Sequence, residues 1–182
     1  MNHENLLKLA FELGILSRTP RSGPYHVAVA DHLTIAAHSY RQMVIAYFMA
    51  CEEKADSGKV LKMCMASNMP ETRVQDQTFV QKKYFDLEKV APDILKDQLR
   101  AMKGSEELQK LHHEMRERTT IEAKIASDAG KLETLIEARE QIQKGVAVME
   151  RWFIDKKKEL LTKTGRELFD ILQKKEIFWW TD

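Results

Sequence analysis

Apolar residues recur at three- and four-residue steps along nearly the whole chain, and alternation of the strand type is almost absent, so the pattern predicts an all-α protein. A first helix is expected over about 5–16, with Leu6, Leu9, Ala10 and Leu13 as its buried stripe. It runs into Ser17–Pro24, where two prolines and a glycine predict a non-helical loop. Thr34 reads as the N-cap of a long helix to about 54, buried through Ile35, Ala46, Tyr47, Phe48 and Ala50. A strongly apolar helix follows over 60–66, and Asn68-Met-Pro-Glu71 reads as one helix ending and another starting, with proline in its first turn. Further helices are expected over 79–85, 90–102, 106–118, 120–143, 146–161 and 165–175, the last capped by Thr164. The aromatic tail Ile177-Phe-Trp-Trp180 is expected to fold back onto the body or to form a dimer contact.

Composition narrows the picture. The 182 residues suit one domain, 1–182, with a core that needs no staples. Twenty-nine basic against twenty-eight acidic residues leave a charge of +1, so no overall field draws a nucleic-acid polymer or an anionic membrane. An anionic ligand must then be small and held locally. The N-terminal stretch lacks the pattern of a signal peptide and no apolar run is long enough to span a bilayer, so a cytoplasmic location is expected. Cys51 and Cys64 lie in apolar helical patterns without metal spacing and read as reduced core thiols.

A few residues stand out chemically. Arg18 and Arg21 put two guanidiniums on the Pro-rich loop, suited to forking onto a phosphate or simply to solvation. His38 lies beside the apolar stripe of its helix, where a hydrogen-bonded core histidine and a ligand are both open readings. Glu71 sits at a helix start, where capping alone would explain it, and Arg73 and Asp76 follow within a turn and could pair with each other. Asp128 and Gly130 interrupt an otherwise good helix former, which suggests a non-local reason for Asp128. His26 and His32 precede the His38 helix, and the adjacent His112 and His113 must point in different directions. Lys156-Lys-Lys158 reads as a solvated face.

Five segments together resemble the HD-domain phosphohydrolases, and within them the 5′-deoxynucleotidase-like branch. They are Leu13-Gly-Ile-Leu-Ser-Arg-Thr-Pro-Arg-Ser-Gly23, Ala37-His-Ser-Tyr-Arg41, Leu61-Lys-Met63 with Pro70-Glu-Thr-Arg-Val-Gln-Asp76, Lys96-Asp-Gln-Leu99, and Ser127-Asp-Ala-Gly-Lys-Leu-Glu133. The resemblance implies a single-domain HD-type helical bundle and a divalent transition metal, Co²⁺ or Mn²⁺. Its metal-ligand positions correspond to His38, Ser67, Asn68 and Asp128. It further implies that Glu71 and Asp76 act around the attacking water and leaving group, and that Arg21, with Arg18 nearby, holds the substrate phosphate. The family's His-Asp pair reads Ser67-Asn68 here, exchanging an imidazole for a hydroxyl and a carboxylate for an amide. Ala37 stands where the branch often has an acidic residue, Gln75 where glycine is common, and Gly130 where a second aspartate is usual. A weakly held or absent metal is therefore expected, with nucleoside 5′-monophosphates or similar small phosphate esters bound and little or no hydrolysis. The alternatives are an active metal-dependent 5′-deoxynucleotidase and a non-catalytic interaction protein. A homodimer is the oligomer the family implies.

Overall fold

The computed structural model describes residues 3–181. Among them the chain forms nine α-helices and no strand: α1 His3–Leu13, α2 Ser22–His26, α3 Ile35–Glu52, α4 Ser57–Ser67, α5 Glu71–Val74, α6 Leu87–Gln98, α7 Ser105–Glu117, α8 Ile121–Gln143 and α9 Lys163–Leu172. The long helix α8 is the axis. It packs along α3 and also touches α4, α7 and α9, so the seam between α3 and α8 is the centre of the bundle. Met49, Met63, Ile125, Leu132 and Phe169 are almost wholly removed from water in the main core, each contributing about 1.5–3 kcal/mol of transfer free energy. A second apolar cluster joins Leu9, Ala66, Met69, Leu95 and Leu99, and so anchors α1 and α6 to the end of α4. No helix is long and apolar enough to cross a membrane among the described residues.

Helix starts follow their side-chain caps. Thr34 accepts from the Ala37 amide, Asp56 from Lys59 and Thr120 from Ala123, fixing the first turns of α3, α4 and α8. The cap of α9 is Thr162 rather than Thr164, because the Thr162 hydroxyl is held in place by buried Asp128 while it accepts from the Gly165 amide.

Several expected elements differ. The segment expected to be loop contains the five-residue helix α2, with Pro24 in its first turn, where a missing amide hydrogen costs nothing. The 79–85 segment forms only a 3-10 turn, Gln81–Lys83. Its apolar side chains, Phe79, Val80, Tyr84 and Phe85, all stay exposed, and the Gln77 side chain holds it open by donating to the Phe85 carbonyl and accepting from the Leu87 amide. Instead of one helix over 146–161 there are two 3-10 stretches, Ala147–Phe153 and Lys156–Glu159, interrupted by Asp155 at a φ of 60°. Tyr47 and Phe48 face solvent, since α3 buries the side carrying Ile35, His38, Gln42, Ala46, Met49 and Ala50. Of the stripe expected in α1 only Leu9 is buried. Cys64 is buried as expected but Cys51 is exposed, and both are free thiols. The C-terminal segment does return to α8, where Gln143 and Arg139 bond the backbone at Lys175 and Ile177, yet Trp179 and Trp180 remain largely exposed.

Candidate functional site

The site is assembled where the loop after α1 crosses α3 and α8. Antiparallel bonds from the Arg21 amide to the Leu33 carbonyl, 2.9 Å, and from the Ile35 amide to the Thr19 carbonyl, 3.0 Å, tie the loop to the start of α3. They aim the Arg21 side chain at α8, where Nη2 donates to the Thr134 hydroxyl at 3.0 Å. The Asp76 carboxylate, arriving from the end of α5, accepts from the Ser22 amide at 2.8 Å and lies 3.7 Å from Arg21 Nε. That Nε is buried and has no hydrogen-bond partner. Arg18 is exposed and lies away from this group, its backbone closing the turn onto Ile15.

Behind Arg21, His38 is buried against α8, its Nδ1 bonded to the Glu133 carboxylate. Glu133 also accepts from Arg41 Nε at 2.9 Å, and Arg41 bridges on to Glu140 at 2.7 Å. Burial alone would raise the Glu133 carboxyl, but His38 and Arg41 outweigh it and hold the group below the usual carboxylate range. Burial, with Arg21 adding repulsion, holds His38 below the ordinary histidine range against the pull of Glu133. A neutral ring whose Nδ1 hydrogen goes to Glu133 leaves Nε2 as the acceptor.

The other expected ligand positions are turned elsewhere. The Ser67 hydroxyl donates back to the Cys64 carbonyl at 2.8 Å. Asn68 Nδ2 donates to the Ser39 hydroxyl at 2.8 Å and to Gln42 Oε1 at 3.3 Å, while Gln42 Nε2 donates to the Ala126 carbonyl at 3.2 Å. Asp128 is completely buried and points at the 160s: its oxygens accept from the amides of Leu161 and Thr162 and from the Thr162 hydroxyl at 2.8–3.0 Å. It is Gly130, half a turn on, that faces α3, a Cβ there lying 3.0 Å from Gln42 Nε2. His26 is exposed, and His32 bonds the carbonyls of Val29 and Ala30, so neither supplements the cluster. Gln75 takes a φ of 62°, a region that favours the glycine common at this place.

Two adjoining cavities open beside Asp76, Gln77 and Lys82. The larger, about 600 Å³, is walled by Arg21, Lys131, Thr134, Arg151, Trp152 and Lys156. The smaller, about 240 Å³, is walled by Ser67, Glu71, His112, Arg116 and Arg118. Burial, with Asp76 nearby, pushes the Glu71 carboxyl up to about 8, and its Oε2 has no hydrogen-bond partner. Burial likewise drives His112 down to about 4. Arg73 does not pair with Asp76; it bonds Glu12 and Asp97 on the outer surface, tying α1 to α5 and α6. Lys131, Arg151, Trp152 and Lys156 were not evident as site residues, because only the return of the 147–159 segment onto α8 brings them together.

A model of the HD domain matches residues 13–169, which takes in the loop, α3, α4, α5 and α8 positions just described. The chain belongs to the HD domain family. None of the curated proteins matches it. Among solved structures it resembles a conserved hypothetical protein from Pyrococcus furiosus, with 25% identity over 92% of this chain and 98% of that one and a TM-score of 0.80. It shares its fold with a protein from Pyrococcus horikoshii, 23% identical over 92% and 96% of the chains, TM-score 0.79. A predicted coding region from Archaeoglobus fulgidus, 23% identical over 97% and 99%, has a TM-score of 0.70.

HD domains generally bind a divalent metal, and the residues present in this one do not fit it. His38 alone keeps the right form, a neutral imidazole oriented by a carboxylate through its other nitrogen. Ser67 and Asn68 offer no charge and are turned into other bonds, and the Asp128 oxygens are spent on backbone amides. Among the described residues no three His, Cys, Asp or Glu side chains converge as a metal cage.

Proposed function

We propose that this HD-domain protein is of the 5′-deoxynucleotidase-like branch and binds nucleoside 5′-monophosphates or similar small phosphate esters in the larger cavity, with little or no hydrolysis. The observation that carries this is Arg21: a guanidinium held by Thr134 and the Asp76 region at the cavity wall, with a buried Nε that has no hydrogen-bond partner. A phosphate oxygen supplies the acceptor it lacks, in the charge-assisted geometry that suits arginine. Hydrolysis needs a metal to polarise the phosphoryl oxygen and acidify water, and the Gln42–Asn68 amide network does neither. The exposed α3 stripe of Tyr40, Val44, Tyr47 and Phe48 suits the homodimer that belongs to the same proposal.

One observation favours a second reading, an active enzyme with a weakly held metal: the Glu133-supported His38 is still poised as a ligand. Phosphate release from a panel of nucleoside 5′-monophosphates with Co²⁺ or Mn²⁺ separates the two. Release indistinguishable from the protein-free control is the expected result, and saturable, metal-dependent turnover would establish the second.

A further inference from the structure

The larger cavity carries more positive charge than a monophosphate neutralises. Of its cations, Arg21 is matched by Asp76 and Lys156 by Glu159 at 2.7 Å. Lys82, Lys131 and Arg151 also face it, and none makes an ion pair with a described carboxylate. Lys82 lies 6.0 Å from the centre of the Phe79 ring, and Lys131 reaches only the Glu159 backbone carbonyl. Burial holds the Lys131 ammonium below the usual lysine range against the pull of Asp128 and Glu159, with Arg118 and Lys156 adding repulsion.

The cations also come from separate segments of the chain. Arg21 grips Thr134, and Lys131 lies three residues earlier on α8, about 4.5 Å along the axis. Arg151 and Lys156 come from the two 3-10 stretches that line the same cavity. A phosphate monoester carries roughly −1.5 to −2 at neutral pH, whereas two linked phosphates bring further charge and reach more of these cations. The volume of about 600 Å³ accommodates a nucleoside as well, with the Trp152 indole as an apolar wall.

We propose that the preferred ligand carries two linked phosphates, a nucleoside diphosphate being the model, with one phosphate on Arg21 and the other among Lys131, Arg151 and Lys156. This rests on the phosphate-ester reading above and narrows it.

The test is isothermal titration in chelator with a nucleoside monophosphate, the matching diphosphate and inorganic pyrophosphate, on the natural protein and on Arg151→Gln and Lys131→Gln. Arg151 is exposed, so its replacement leaves folding intact. The diphosphate is expected to bind at least about tenfold tighter than the monophosphate, pyrophosphate to displace it, and each variant to weaken the diphosphate several-fold more than the monophosphate. Equal affinity for the two nucleotides, pyrophosphate that fails to compete, or equal losses for both nucleotides in the variants overturns the proposal and leaves monophosphate binding standing. Absence of binding by either nucleotide overturns both.

Discussion

The side-chain amide of Gln42 stands over Gly130, its Nε2 3.0 Å from the place a Cβ on that glycine would take. The amide is fixed there by its bonds to Ala126 and Asn68. In this chain the seam between α3 and α8 therefore holds a neutral amide network where a second aspartate of the helix would bring charge. Replacing Ser67→His and Asn68→Asp is expected to leave Mn²⁺ binding weak. Adding Gly130→Asp with Gln42→Ala, which clears the space, is expected to strengthen it by about tenfold to a hundredfold, as read by calorimetric titration of the metal. Gly130→Asp alone displaces Gln42 and costs about 1–3 kcal/mol in denaturant unfolding.

Asp128 is a structural carboxylate in this arrangement. Asp128→Ala leaves the Leu161 and Thr162 amides without acceptors and releases the cap of α9, at a cost of about 2–4 kcal/mol. Urea unfolding should show that loss, while nucleotide affinity at a temperature where the variant is folded stays within about twofold. A large selective loss of affinity at unchanged stability would place Asp128 in the binding site.

Glu71 makes stability depend on pH. Its folded value near 8 lies above the ordinary 4.5, so the folded state binds the extra proton between those limits. The stability it contributes is full below about pH 4.5 and is lost as pH rises through 8. His112, whose value is depressed, acts oppositely but only between about 4 and 6.5. Above pH 6.5 the Glu71 effect should show clearly: unfolding free energy falls from pH 6.5 to 8.5 by an amount on the order of 1–3 kcal/mol, and Glu71→Gln flattens the profile.

Gln75 occupies a backbone region with φ 62° and ψ 174° in which a side chain is strained. Gln75→Gly is expected to raise unfolding free energy by about 1 kcal/mol, and an unchanged or lower value would show that the surrounding bonds have absorbed the strain.

Much of the bundle was legible because its signals are local. Thr34 announces α3 through its cap, the amphipathic pattern over 120–143 announces α8, and the Pro70-Glu71 step marks the break between α4 and α5. The oddity of an aspartate inside α8 correctly indicated a non-local role, though the partners are backbone amides of the 160s. What stayed hidden depends on long-range contact. The 3-10 stretches at 147–159 lead into Leu161 and Thr162, whose amides bond Asp128 across the bundle, and no local propensity encodes that contact. Arg73 looked like a partner for Asp76, but Glu12 and Asp97 come within reach only once α1 and α6 dock. Lys156 reads as a surface charge until the turns fold back over α8.

The most direct measurement is equilibrium titration of a nucleoside 5′-monophosphate into the protein in EDTA, repeated with Mn²⁺ and with Arg21→Ala. Saturable binding in EDTA, unchanged by Mn²⁺ and weakened at least about tenfold in Arg21→Ala, is the predicted result. Binding that appears only with Mn²⁺ and is accompanied by phosphate release would contradict a metal-independent phosphate site.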